Sequence, residues 1–262
     1  MRTLLICHAG ALLDSEGLAR WLNSISNLVG VVVIAERKQR GLKRIRRELK
    51  RTGPFRFLDV LGFRLYYKLF VATRDRRWQD DALDKLRAVY SDKPTAPVMV
   101  TQSPNSAEAA RFIKSVAPDI VIARCKVLLK EEIFSIPTTG TFVMHPGVCP
   151  EYRNAHGCFW ALANDDVRNV GMTLLRVDKG VDTGPIYGYY SYEFDELNES
   201  HFVIQNRVVI DNLNQLEQKL NQIHRGEAQT IDTTGRPSST WGQPWLSKYL
   251  QLKRRAKRRR NL

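Results

Sequence analysis

The chain has 262 residues, 43% hydrophobic and 9% aromatic, enough to bury one large α/β core or one core with a small appended unit. Its 41 Lys and Arg against 27 Asp and Glu give a formal charge of +14, densest in Arg37–Arg51 and Lys253–Arg260, a field that favours acidic partners and says little about fold. The four cysteines form no CxxC pair, no apolar run reaches the roughly twenty residues of a spanning helix, and the apolar start MRTLLIC lacks a cleavage pattern; no disulfide framework, metal site, spanning helix or signal peptide is expected, and the expected compartment is the cytoplasm.

Thr3–Cys7 is a continuous apolar run closed by His8, Ala9 and Gly10, the pattern of a strand buried on both faces of a parallel sheet. Asp14 or Ser15 can cap a helix with Leu18, Trp21, Leu22 and Ile25 at helical spacing, and Leu28–Ala35 supplies a second buried strand, so the chain opens as βαβ. The turn HAGALLDSEG carries neither GxGxxG nor GxxxxGK followed by Ser or Thr, which disfavours a dinucleotide or P-loop site. Lys38–Arg51 reads as a basic surface helix with Leu42, Ile45 and Leu49 as a thin apolar stripe. Pro54–Tyr90 is a second helical region whose first half is too apolar to stay exposed. Together they predict a helical insertion over about 38–90, packed by its apolar face, with a membrane surface as the alternative use.

Pro97–Thr101 reads as a third strand, Ser106–Val116 as a helix and Asp119–Ala123 as a fourth strand. Thr139–Met144 then delivers His145 at a strand's carboxyl end, where open α/β sheets place their sites. Gly157–Asn164 has a buried-helix composition, Gly171–Val177 and Ile186–Tyr192 read as an antiparallel strand pair, and Val203–His224 as one long amphipathic closing helix. Asp232–Leu262 is expected to form an extended arm and a mobile tail. The fold class expected is α/β: a Rossmann-like, mainly parallel twisted sheet flanked by helices, one domain over residues 1–226, with a short C-terminal extension over 227–262.

Between His145 and Ile186 the polar residues His145, Tyr152, Arg153, Asn154, His156 and Asp182 are concentrated among Pro and Gly, where stiff turns hold a site better than they continue a core. A His beside a carboxylate suits proton transfer near neutral pH. The motifs HPGVCPEYRNAHG and GMTLLRVDKGVDTGPI resemble the folate-dependent formyltransferase superfamily, matching at His145-Pro146-Gly147, Pro150 to Asn154, Gly171, Thr173 and Asp182 to Ile186. The resemblance implies transfer of a formyl group from 10-formyltetrahydrofolate to an amine, with His145 and Asp182 catalytic. It also implies Tyr152, Arg153, Asn154 and His156 toward the acceptor, and Arg124, Lys126, Val127, Leu128, Val177 and Gly184 toward the folate. For Val127, Leu128 and Val177 core packing is the competing reading; Arg153 could instead cap carbonyls of its own loop, and His156 could serve only the helix start.

In one place the sequence departs from the family pattern. The Asn expected two positions before the His, an oxyanion donor, is Val143, and losing such a donor costs about a hundred- to a thousandfold in rate. Either another donor (Asn154, Lys126 or a backbone N–H) replaces it, or the transferred group or acceptor differs, or catalysis is lost; a working enzyme is the favoured reading. The motifs do not identify the acceptor; by elimination a small-molecule amine, an amino sugar foremost, is expected over methionyl-tRNA, for which only about forty residues follow the closing helix, and over glycinamide ribonucleotide, for which HAGALLDSEG is a poor glycine-rich phosphate loop. The alternative from another class is a weakly catalytic scaffold that binds RNA or anionic membrane through its basic segments.

Overall fold

Apolar runs without alternation need cover on both faces, and four of them form the centre of a single sheet. The computed structural model of the chain describes residues 1–35 and 41–261, and the backbone alone for 41–47 and 50–52. The strands are β1 (Arg2–His8), β2 (Asn27–Ile34), β3 (Val98–Thr101), β4 (Ile120–Arg124), β5 (Gly140–His145), β6 (Arg153–Asn154), β7 (Met172–Arg176), β8 (Ile186–Tyr190) and β9 (Thr240–Trp241). The helices are α1 (Ala19–Ile25), α2 (Gly41–Tyr66), α3 (Ala72–Val89), α4 (Ala107–Val116), α5 (Glu131–Phe134), α6 (Gly157–Ala163), α7 (His201–Ile210), α8 (Leu213–His224) and α9 (Leu246–Arg260).

The seven-stranded sheet runs β3-β2-β1-β4-β5-β7-β8, parallel from β3 to β5 and antiparallel at β7 and β8. Alternation along β1 divides the core: Leu5 and Cys7 join the helices α1 and α8 on one face, while Leu4 and Ile6 meet Ile113 of α4 on the other. Chain order reverses between β1 and β4, and at their carboxyl ends the Lys126 N–H donates to His8 Nε2 (3.0 Å) and Arg124 Nε to Asp14 Oδ1 (2.9 Å).

Four expectations are corrected. Neither Asp14 nor Ser15 caps a helix, because a π-helical turn already starts at Leu13 and Asp14 is engaged by Arg124. The closing helix is two, α7 and α8, broken at Asp211–Asn212, where the Asn212 amide donates to the carbonyls of Val208 (2.8 Å) and Ser191 (3.1 Å). The expected mobile tail is α9, with Tyr249, Leu252 and Ala256 buried against α2 and α6. The insertion is helical, kinked in α2 at Gly53 (φ 77°) and Pro54 and passing through a π-helical turn over Tyr67–Val71 before α3, but its apolar first half is not buried as expected: Phe55, Leu58, Leu65, Leu69 and Phe70 are exposed. Of the basic stretch Lys38–Arg51, residues 38–40 lie outside the described residues, as do the side chains of Leu42 and Ile45, two of the three residues of the expected apolar stripe.

Candidate active site

β5 ends at His145, directly opposite Thr173 of β7. Thr173 is fully buried; its hydroxyl donates to the Gly147 carbonyl (2.7 Å) and accepts the Cys149 N–H (3.0 Å), so one side chain fixes the turn after His145. Gly147 and Gly157 pack backbone to backbone. A Cβ at 147 would lie 2.6 Å from the Tyr152 carbonyl and 3.0 Å from His145 Nε2; one at 157 would lie 2.6 Å from Gly147 Cα. That closeness lets His145 Nε2 reach the Tyr152 carbonyl at 2.8 Å. A carbonyl can only accept, so Nε2 carries the hydrogen.

Nδ1 is thereby turned toward Asp182, 3.4 Å from Oδ2, longer than a formed hydrogen bond but within ion-pair reach. Asp182 Oδ2 also accepts the Asn154 N–H at 2.7 Å. His145 is buried, while the Asp182 side chain keeps 17% exposure, so the pair opens to solvent through the carboxylate. Asn154, His156 and Asp182 all sit at positive φ (71°, 64° and 52°), a conformation that Asn, Asp and His tolerate better than other side chains and that clusters at functional sites.

Tyr152 and His156, expected to face an acceptor, point into the interior instead. The Tyr152 hydroxyl donates to Asp166 (2.8 Å), and its ring stacks on Trp241. His156 occupies the position before α6 without a capping hydrogen bond, its Nδ1 has no partner, and burial pushes its pKa down to about 3. Arg153 donates across to the Val181 carbonyl (3.2 Å) rather than within its own loop, and the Asn154 amide donates to the Trp241 carbonyl (2.6 Å). Burial raises the Cys149 and Cys158 thiols above their usual range, which removes them as nucleophiles.

On the proposed folate side, Arg124 is committed to Asp14 and to the Met144 carbonyl (2.7 Å). Gly184 crosses β7 so tightly that a Cβ would lie 1.9 Å from the Arg176 carbonyl, so its role here is close packing. Lys126 is exposed, and its charge acts on the buried His156. Val127 is half-buried against the core, its carbonyl accepting from Cys125 Sγ (3.5 Å), while Leu128 is exposed; Val177 gives its N–H to the Thr141 carbonyl (2.7 Å). The loops 125–130 and 177–184 face each other, joined by Lys179–Glu131 (2.9 Å), with Leu128 and Val181 exposed on them. Among the described residues, no group of three or more His, Cys, Asp or Glu is placed to hold a metal.

The C-terminal arm is the part that sequence reasoning missed. β9 pairs in parallel with β6, and Trp241 stacks between Tyr152 and Trp160, with Nε1 donating to the Glu151 carbonyl (2.9 Å). Arg236 makes two bonds to Glu151 (2.9 and 2.8 Å) and one to the Tyr189 hydroxyl (2.6 Å). The arm thus straps the loop that seats His145. The available signal was an Arg and two tryptophans in a stretch otherwise of turn residues.

The family model for formyl transferase matches residues 71–224. The methionyl-tRNA formyltransferase of Thermotoga neapolitana is 31% identical over 156 residues, 57% of this chain and 49% of that one. The bifunctional polymyxin resistance protein ArnA of Wigglesworthia glossinidia brevipalpis is 28% identical over 143 residues, 54% of this chain and 22% of its own length. The chain spans half or less of the length of these curated relatives. A sugar N-formyltransferase from Shewanella sp FDAARGOS_354 superposes with a TM-score of 0.56 at 14% identity, over 92% of this chain and 76% of that chain. Phosphoribosylglycinamide formyltransferase from Anaplasma phagocytophilum gives 0.55 at 15%, over 93% and 99%. At these identities the structural likeness is one of fold. The matched segment covers more than half of the chain and contains His145, Thr173 and Asp182, and the chain belongs to the formyl transferase family.

Proposed function

We propose that the chain is an N-formyltransferase that moves a formyl group from 10-formyltetrahydrofolate, the donor of this family, to a small-molecule amine. The observation that carries the reading is His145, seated on the Tyr152 carbonyl through Nε2 with Nδ1 facing a carboxylate. The acceptor nitrogen attacks the formyl carbon, forming the new C–N bond and an oxyanion. A proton leaves the incoming nitrogen, the bond to the folate N10 breaks and N10 is protonated, giving the formamide and tetrahydrofolate. Nδ1 and Asp182 are the groups that accept and hold the moving proton, and the 3.4 Å gap leaves room to tighten when substrate binds.

Val143 offers the oxyanion no donor, and both the amide and the N–H of Asn154 are already engaged. Lys126 is therefore our replacement: an exposed cation on the loop after β4, close enough to act on His156. The acceptor class we favour is an amino sugar. At the turn after β1, Asp14 paired to Arg124 sets a carboxylate where a phosphate cradle would need donors, which speaks against a ribonucleotide there.

The test is turnover of 10-formyltetrahydrofolate with a panel of amino sugars. His145→Ala and Asp182→Asn should each lower turnover by about a hundred- to ten-thousandfold while the folate still raises the melting temperature. Lys126→Ala should lower turnover and Val143→Asn in that background restore part of it. A folate that neither shifts the melting temperature nor binds saturably ends this reading.

A further inference from the structure

The apolar half of α2 has two faces. On one, Val60 and Phe63 are buried, and the π-helical turn keeps Tyr67, bonded to Asp75, and buried Val71 on that side. The opposite face carries Phe55, Leu58, Leu65 and Leu69, exposed by 87, 64, 59 and 63%, with Leu61 at its edge and Leu246 of α9 touching it at Gly62; Phe70, beside Tyr66, is exposed outside the stripe. The 58-61-65-69 spacing is that of a single helical stripe. Contiguous large apolar side chains on a surface mark an interaction site.

The charges around the stripe have one sign. Between Gly53 and Arg74 the sequence holds a single acid, Asp59, and it is turned to the start of α9, where it accepts from the Ser247 N–H (2.9 Å) and hydroxyl. Arg56 lies over the Trp245 ring, while Arg64, Lys68 and Arg74 are exposed. The preceding sequence, KRIRRELKR, adds six cations against one acid, and α9, packed beside α2, exposes Arg254, Lys257 and Arg258. Here a convex ridge, roughly 24 Å long at helical rise, presents aliphatic and aromatic side chains edged only by cations. That is the chemistry of an anionic bilayer interface, in which apolar side chains enter the acyl boundary and cationic stems snorkel to phosphates. No helix among the described residues is long and apolar enough to cross a membrane, so the ridge lies on the surface.

We propose that the exposed face of α2 docks the protein on anionic lipid bilayers. The full chain should co-float with phosphatidylcholine vesicles containing phosphatidylglycerol and bind pure phosphatidylcholine at least about tenfold more weakly. The triple variant Leu58→Gln, Leu65→Gln, Leu69→Gln keeps the charge and should lose about a hundredfold or more in partitioning, with an unchanged circular dichroism spectrum. Arg64→Gln with Lys68→Gln should remove most of the preference for anionic lipid. Absence of vesicle binding at every anionic content overturns the proposal. So does a triple variant that partitions like the parent, or a parent dimer that the variant splits while vesicle binding persists, which would make the ridge a contact between copies.

Discussion

Thr173→Val isolates the device that seats the catalytic histidine. Valine nearly matches threonine in shape, so the change removes one buried hydroxyl while leaving the fully enclosed site filled. Two backbone groups lose their partner together: the Gly147 carbonyl (2.7 Å) and the Cys149 N–H (3.0 Å), both in buried residues. Each unsatisfied group costs about 1–3 kcal/mol, so the sum is roughly 2–6 kcal/mol against a global stability of about 5–15 kcal/mol. In urea, with a slope of about 3 kcal/mol/M, the unfolding midpoint should fall by about 1 M at unchanged slope. Turnover at 25 °C should fall further than the unfolded fraction explains, because the loosened turn carries Gly147, against which His145 rests. Thr173→Ser keeps the hydroxyl and should lose only about 1 kcal/mol, the worth of a buried methyl. A valine variant whose midpoint stays within about 0.2 M of the parent, with parental turnover, would show that the hydroxyl does not hold the turn.

Three further outcomes are expected. Gly147→Ala sets a Cβ 2.6 Å from the Tyr152 carbonyl; it should push that carbonyl off His145 Nε2 and cost about a hundredfold in turnover, measured at saturating folate. Trp241→Ala removes the stack on Tyr152 and Trp160 and the bond to the Glu151 carbonyl; it should destabilise by about 2–4 kcal/mol and open the 227–245 arm to limited proteolysis, an arm still resistant arguing against the strap. His156 and His201 are buried neutral with depressed pKa values, so the unfolded chain binds the extra protons: stability is intact above about 6.5 and falls below it, for His156 down to about 3, by about 1.4 kcal/mol per pH unit for each histidine. His156→Asn, which tolerates the positive φ, should remove part of that slope in urea titrations between pH 7 and 5; an unchanged slope would contradict its neutral burial.

The sheet was legible because parallel strands enclosed on both faces read as unbroken apolar runs, as in Thr3–Cys7 and Asp119–Ala123, and His145 was legible because β5 ends where turn residues begin. The break between α7 and α8 was not, because the apolar stripe continues across it: Asn212 ends the helix by bonding Ser191, a residue far away in sequence. The inward turn of Tyr152 and His156 was hidden for a related reason. What draws them in, Trp241, Asp166 and the ring of His201, belongs to other segments, and no local spacing encodes the meeting. Arg124 and Gly184 matched a ligand pattern in sequence, yet an ion pair engages one and backbone crowding explains the other.

The basic C-terminus shows how far net charge misleads about partners. Lys253–Arg260 read as a solvated tail because charge density is usually a sign of disorder. Yet Tyr249, Leu252 and Ala256 recur at spacings of three and four, enough for a one-sided helix, and cations suit its carboxyl end. Three of the charges are consumed internally. Lys253 donates to the carbonyls of Glu196, Leu197 and Glu199, and burial brings its pKa down to about 8. Arg255 meets the carbonyls that end α6, and Arg259 bridges Asp165 and Glu196. The field open to an acidic partner is therefore smaller than +14, and α9 contributes to it through the exposed Arg254, Lys257 and Arg258. Net charge alone suits any polyanion, so the proposed bilayer docking rests on the apolar ridge of α2 and not on the +14.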